Sequence, residues 1–266
     1  MLRPVKLSQD EGVQKLQTTQ DYYNPILNFA YHYLQEKGYF NGHPSDTEGY
    51  TPWYNFPAIK FTKDILKPEH KVLEYGAGYS TLFYRDRVSE LYTVEHNEEW
   101  AAKVTEIDPN MVINIVPKFS NYKPEAQELL DEFIRMELPL PCSTDEKHDE
   151  IHGLLNSEFV GYASMIFDKP KGYFDIVVID GMARVLTGFF AANMIKDDGY
   201  IILDNSDRWV YNPLQKYLIE KGFGRVDIWG PGHGSNREWC TSFYSKRFNF
   251  VPNQIERPVD DRLIEV

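Results

Sequence analysis

The chain has 266 residues, 42% hydrophobic and 15% aromatic, enough for one large buried domain with additions. Acidic residues outnumber basic ones 40 to 28, giving a net charge of -12. That balance argues against gripping a phosphate backbone, which needs clustered Lys and Arg.

Residues 1–20 are polar and unpatterned and read as a draped arm. Asn24 and Pro25 read as the N-cap and first position of a helix through Ile26, Leu27, Ala30, Tyr31 and Leu34, stopping near Gly38. Glycines and prolines make 38–52 a loop, and a second helix is expected over 56–66. Strands and helices then alternate. Strands are expected at 71–75 (KVLEY), 91–95 (LYTVE), 111–116 (MVINIV), 174–179 (FDIVVI) and 200–203 (YIIL), with helices over 98–107 and through 191–195. The run FDIVVI is continuous and β-branched, as a strand buried on both faces requires. Further on, 216–221 reads as helical and 225–229 and 241–244 as extended. The fold class is therefore α/β, a Rossmann-like doubly wound, mostly parallel sheet with N-terminal helices.

Residues 117–171 break the rhythm with helical pieces at 125–136 and 157–167, a Pro-rich turn and the charged run 145–150. They read as a helical insertion over the ligand-binding edge and a candidate homodimer surface. The expected organisation is an N-terminal helical cap (1–70), a Rossmann-like domain (71–250) and a tail (251–266). Two cysteines, no apolar run fit for a secretory signal and none near the ~20 residues of a membrane span point to a cytoplasmic protein.

The stretch 72–81 (VLEYGAGYST) ends a strand at Glu74 and Tyr75, turns on Gly76, Ala77 and Gly78, and opens a helix with Tyr79, Ser80 and Thr81. Glycines here let a ligand lie against the backbone without a Cβ in the way. Thr81 stands where a dinucleotide fingerprint has its third glycine, which argues against NAD. Glu95 ends the next strand, followed by His96, and a carboxylate there can accept both hydroxyls of a ribose. Asp180 (followed by Gly181) and Asp204 end two further strands, so four carboxylates are expected at one rim.

These residues resemble the class I S-adenosylmethionine-dependent methyltransferases, over about 53–244 without the insertion. The phrases IDGMARV, DDGYIILDNSD and WGPGH with TSFY, and PWYNFPA upstream, resemble a poorly characterised bacterial subgroup. The resemblance implies S-adenosylmethionine cradled by Gly76–Gly78, its ribose on Glu95 and its methionine end near Glu74 and Asp180. It implies an adenine wall near Tyr162 or Phe119. The implied reaction is methyl transfer to oxygen or nitrogen of a small molecule or glycan.

Asp180, Asp204 and Asn205 also resemble the metal ligands of catechol and caffeoyl-CoA O-methyltransferases, making Mg²⁺ or Ca²⁺ a candidate. The catalytic Lys of that group is replaced by Ala183, with Arg184 beside it. Arg184 cannot act as a base; it either grips an anionic substrate or braces Asp204 or Glu95. His233, in a Gly-rich loop, is a candidate general base or a loop histidine without a role. His148 and His152 form either a metal face or a solvated charged loop. Trp53 and Tyr54 either border the cleft or pack the N-terminal helices on the sheet. Other readings on the same fold are an aminopropyltransferase, an NAD enzyme, and a non-catalytic nucleoside sensor or scaffold.

Overall fold

The computed structural model describes residues 44–136, 157–233 and 238–248. The expected helix at 26–34, the pair His148 and His152, and the tail 251–266 lie outside them. A two-residue hairpin, β1 (Ser45–Asp46) and β2 (Gly49–Tyr50), precedes helix α1 (Phe56–Ile65). The alternating core follows: β3 (Lys71–Tyr75), α2 (Tyr79–Arg85), β4 (Glu90–Glu95), α3 (Glu98–Ile107) and β5 (Ile113–Ile115). After α4 (Gln127–Arg135) and the single turn α5 (Val160–Ala163) come β6 (Ile176–Ile179), α6 (Arg184–Met194), β7 (Tyr200–Asp204), α7 (Asn212–Glu220), β8 (Gly224–Gly230) and β9 (Trp239–Ser245).

The seven-stranded sheet runs in the order β5-β4-β3-β6-β7-β9-β8. Strands β3 to β7 are mutually parallel, while β9 pairs antiparallel with both β7 and β8. The Rossmann-like, mostly parallel class is thus the observed one. Strand order reverses between β3 and β6, the switch point beyond whose carboxyl ends such sheets take ligands.

Period-two alternation sorts the strand residues. Leu73, Tyr75, Val177, Ile179, Ile201 and Leu203 pack with α4, α5, α6 and α7 in one buried cluster. Val72, Val178 and Ile202 pack on the other face with Ala58 and Ile59 of α1 and Phe83 and Tyr84 of α2. Glu74, Glu95 and Asp204 therefore share the α1/α2 face, and Asp180, one residue past β6, is in phase with them.

Helix α1 is fixed by Asn55. Its side-chain carbonyl accepts from the Ala58 amide (3.0 Å), as an N-cap should, and its amide donates to the Ile228 and Trp239 carbonyls (3.0 and 3.1 Å). Tyr54 is fully buried beside it, so it packs the helix on the sheet; Trp53 stays 46% exposed. The piece expected as one helix over 157–167 splits into 3-10, α and 3-10 turns. Gly161 lies directly on the Ser120 backbone there, and a local bend meets that approach better than a regular helix.

Candidate functional site

The turn after β3 is held from below. Gly76 has φ +97°, and a Cβ on it would meet the Asp180 carbonyl oxygen at 2.8 Å and the Gly181 Cα at 2.9 Å. The loops leaving β3 and β6 thus touch back to back, and a glycine is demanded by the fold itself. Gly78 differs. Its φ of 177° is extended backbone open to any residue, and an added Cβ would find only Ser80 Oγ, at 3.7 Å. Among the described residues nothing requires that glycine, and none of them fills the open space beside it.

Thr81 explains the missing third glycine. Its hydroxyl accepts from the Gly78 amide (2.9 Å) and donates to Glu74 Oε2 (2.7 Å). Thr93 donates to the same oxygen at 3.0 Å. Glu74 is fully buried, yet among the described residues its Oε1 has no hydrogen-bond partner. Burial pushes its carboxyl up to about 7, against the hydroxyl bonds that favour the charged form.

Glu95 sits 3% exposed at the end of β4. Oε2 accepts from the Ala77 amide (2.9 Å); Oε1 accepts from the His96 and Asn97 amides (2.8 and 2.9 Å) and lies 2.7 Å from His96 Nδ1. Burial works to raise its pKa, but these bonds outweigh it and hold the carboxyl below the usual value. It enters as an ionised acceptor. A carboxylate offers about four lone-pair sites, so Oε2 with its single partner keeps capacity for a hydroxyl. Trp100, which sequence reasoning missed, donates from its indole to the Ala77 carbonyl (2.5 Å) and tightens the same turn. Tyr79 stacks on Tyr50 (centroids 5.6 Å apart), and Ser80 is buried beneath the turn.

Of the two residues expected near an adenine, one is corrected. Tyr162 is fully buried, packed on Tyr75 and edge-on to His96 and Phe159, so it offers no ring face to a ligand. Its hydroxyl occupies the space a Cβ on Gly181 would take, which assigns Gly181 to close packing. Phe119 is 76% exposed and left-handed (φ 62°), held by its amide bond to Glu158 O at 2.7 Å. It lies four residues past β5, whose continuation pairs Val116 N with Glu95 O (2.8 Å). Phe119 thus presents an exposed aromatic ring on left-handed backbone just past β5.

At the ends of β6 and β7, Asp180 and Asp204 are both raised, first by burial and, for Asp204, next by the charge of Asp180. Asp204 Oδ1 accepts from the Thr241 hydroxyl (2.6 Å) and the Trp239 indole (3.2 Å). The Trp239 ring also lies where a Cβ on Gly232 would stand, one residue before His233. His233 is buried, 3.3 Å from Thr51 Oγ1, and its carbonyl accepts from the Trp53 indole (2.7 Å). Burial lowers its pKa and keeps it uncharged near neutrality.

Arg184 does not reach outward. Ala183 is left-handed (φ 46°) at the N-cap of α6, and this turn directs Arg184 back onto the strand ends. Its guanidinium donates to the carbonyls of Gly181, Asp204 and Asp180 (3.0, 2.7 and 3.1 Å) and pairs with Asp180 Oδ1 at 2.9 Å. At 7% exposure it braces the rim, one of its two expected roles, and offers no fork to a substrate. Asn205 turns left-handed just after β7 (φ 52°). Among the described residues, no three His, Cys, Asp or Glu side chains converge on a metal position.

No family model matches the chain, and no curated protein does. Solved structures similar to it include a methyltransferase-like protein from Silicibacter pomeroyi (16% identity, 74% of this chain and 90% of that one, TM-score 0.42). Another is a putative methyltransferase from Streptococcus mutans in complex with SAH (7% identity, 70% and 93%, TM-score 0.42). A third is a putative O-methyltransferase from Klebsiella pneumoniae (16% identity, 83% and 89%, TM-score 0.38).

Proposed function

We propose that the chain transfers the methyl group of S-adenosylmethionine to an oxygen or nitrogen of a small molecule or glycan. The observation that carries this is Gly78: a glycine that neither its backbone angle nor its neighbours among the described residues require, opening the turn between Glu74 and Glu95 at the switch point. The residues fit the donor. The turn receives the adenosyl group, Glu95 the ribose, and Phe119 the adenine. Glu74, with its unpartnered oxygen, faces the cationic methionine end. The donor's sulfonium is already electrophilic, so the protein has to place the nucleophile and accept its proton. His233, kept neutral, takes that proton, and Asp204 with Trp239 fixes the corner beside it. The acidic excess of the sequence favours such an acceptor over nucleic acid. No helix among the described residues is long and apolar enough to cross a membrane.

Incubation of the full chain with methyl-labelled donor and a panel of phenols, amines and oligosaccharides tests the reaction. Label moving to an acceptor supports it; stoichiometric donor binding with no transfer to any of them favours the nucleoside-sensor reading.

Glu74 adds a proton signature. Its folded value of about 7 lies above the ordinary 4.5, so the folded chain keeps a proton there that the unfolded chain has lost. Stability from this group is complete below about pH 4.5 and declines as pH rises to about 7. A cation placed against Glu74 favours the carboxylate, so donor binding near pH 6.5 (roughly mid-titration) releases a proton. Calorimetric titration in two buffers of different ionisation enthalpy is expected to show fractional proton release, absent in Glu74→Gln. Buffer-independent heats in the parent chain would refute this placement of the cation.

A further inference from the structure

A divalent ion held by Asp180 and Asp204 needs both carboxylates turned toward one point, with oxygens about 2.0–2.6 Å from it. One oxygen of each is already committed within the protein. Asp204 directs Oδ1 toward β9, where the Thr241 hydroxyl (2.6 Å) and the Trp239 indole (3.2 Å) hold it. Asp180 Oδ1 lies 2.9 Å from Arg184 Nη2. The guanidinium itself joins the two strand ends, with Nη1 2.7 Å from the Asp204 carbonyl and Nη2 3.1 Å from that of Asp180.

We infer that Arg184 takes the place of a divalent cation at this rim, so that a permanent guanidinium organises the ends of β6 and β7 and no metal binds there. The reason is electrostatic as well as steric. Arg184 is buried and remains protonated at any working pH, so a dication brought within a few ångströms meets a fixed positive charge with little solvent between them. An ion drawing on Asp180 Oδ1 or on the strand-end carbonyls would also have to break bonds that the guanidinium satisfies together. Ala183 completes the exchange: its left-handed turn aims the arginine inward. Left-handed backbone is unfavourable for a non-glycine residue, so the surrounding contacts hold the turn in place. The inference concerns the rim alone and stands whether or not methyl transfer is the reaction.

The test uses the full-length chain, ¹⁵N-labelled, with Mn²⁺ as a paramagnetic probe and Mg²⁺ as its diamagnetic control, with and without S-adenosylhomocysteine. A bound Mn²⁺ ion erases nearby amide resonances. The expected result is that Gly181 and Asn205 retain their intensity as Mn²⁺ is raised to stoichiometric, whatever happens elsewhere on the acidic surface. Selective loss of these two resonances at substoichiometric Mn²⁺, in either ligand state, overturns the inference.

Discussion

Replacing Glu95 with Gln is expected to weaken S-adenosylmethionine binding by about two orders of magnitude, and to lower the melting temperature by a few degrees. The carboxylate accepts from three backbone amides, Ala77 on one oxygen and His96 and Asn97 on the other. An amide has one accepting end and one donating end. Either orientation sets an NH₂ against a backbone N–H, leaving a buried donor unsatisfied at about 1–3 kcal/mol. The ribose hydroxyls lose an ionised acceptor as well, and each bond to a charged group is worth roughly 1.5–3 kcal/mol. Together about 3 kcal/mol reaches the ligand, or about a hundredfold in affinity. Titration calorimetry and a melting curve on the same sample read both effects. An affinity within a few-fold of the parent chain would remove the ribose from this site.

The two glycines of the turn are expected to separate fold from ligand. Gly76→Ala places a methyl group against the Asp180 carbonyl at 2.8 Å, on backbone with φ +97°. Strained φ and forced separation of the β3 and β6 loops should destabilise the chain by about 2–4 kcal/mol, seen as an earlier denaturation midpoint. Gly78→Ala sits on extended backbone with its nearest neighbour at 3.7 Å. It should melt within about 0.5 kcal/mol of the parent, as substitutions without a structural conflict do. Its donor affinity should nonetheless fall by at least about tenfold, because the added methyl stands where the ligand meets the backbone. If Gly78→Ala bound the donor as well as the parent does, the open space would have another explanation.

Much of this architecture is written in local pattern. Strand β3 and helix α3 fall on their expected residues because the short run KVLEY opens directly into a Gly-rich turn and Asn97 caps the helix by accepting from the Trp100 amide. Glu74, Glu95, Asp180 and Asp204 reach one rim because each ends a parallel strand, a feature that spacing alone conveys. Contacts set by pairing are not in the pattern. Nothing local places β9 between β7 and β8, and only that order brings Thr241 opposite Asp204. Trp100 meets Ala77 because β4 stands beside β3 in one particular register. The sequence leaves Arg184 between gripping a substrate and bracing Asp204 or Glu95; the left-handed turn at Ala183, which alanine's own preferences oppose, is not legible in it. The resemblance places an adenine wall near Tyr162 or Phe119, and across the 117–171 insertion it does not distinguish a wall of the cleft from a wall of the core, where Tyr162 lies.

The most direct measurement is a calorimetric titration of the full-length chain with S-adenosylmethionine near neutral pH, with folding confirmed by its melting transition. The expected result is saturable binding of one donor per chain, with competition by S-adenosylhomocysteine. A folded protein giving no binding heat and no thermal shift at millimolar donor would contradict it.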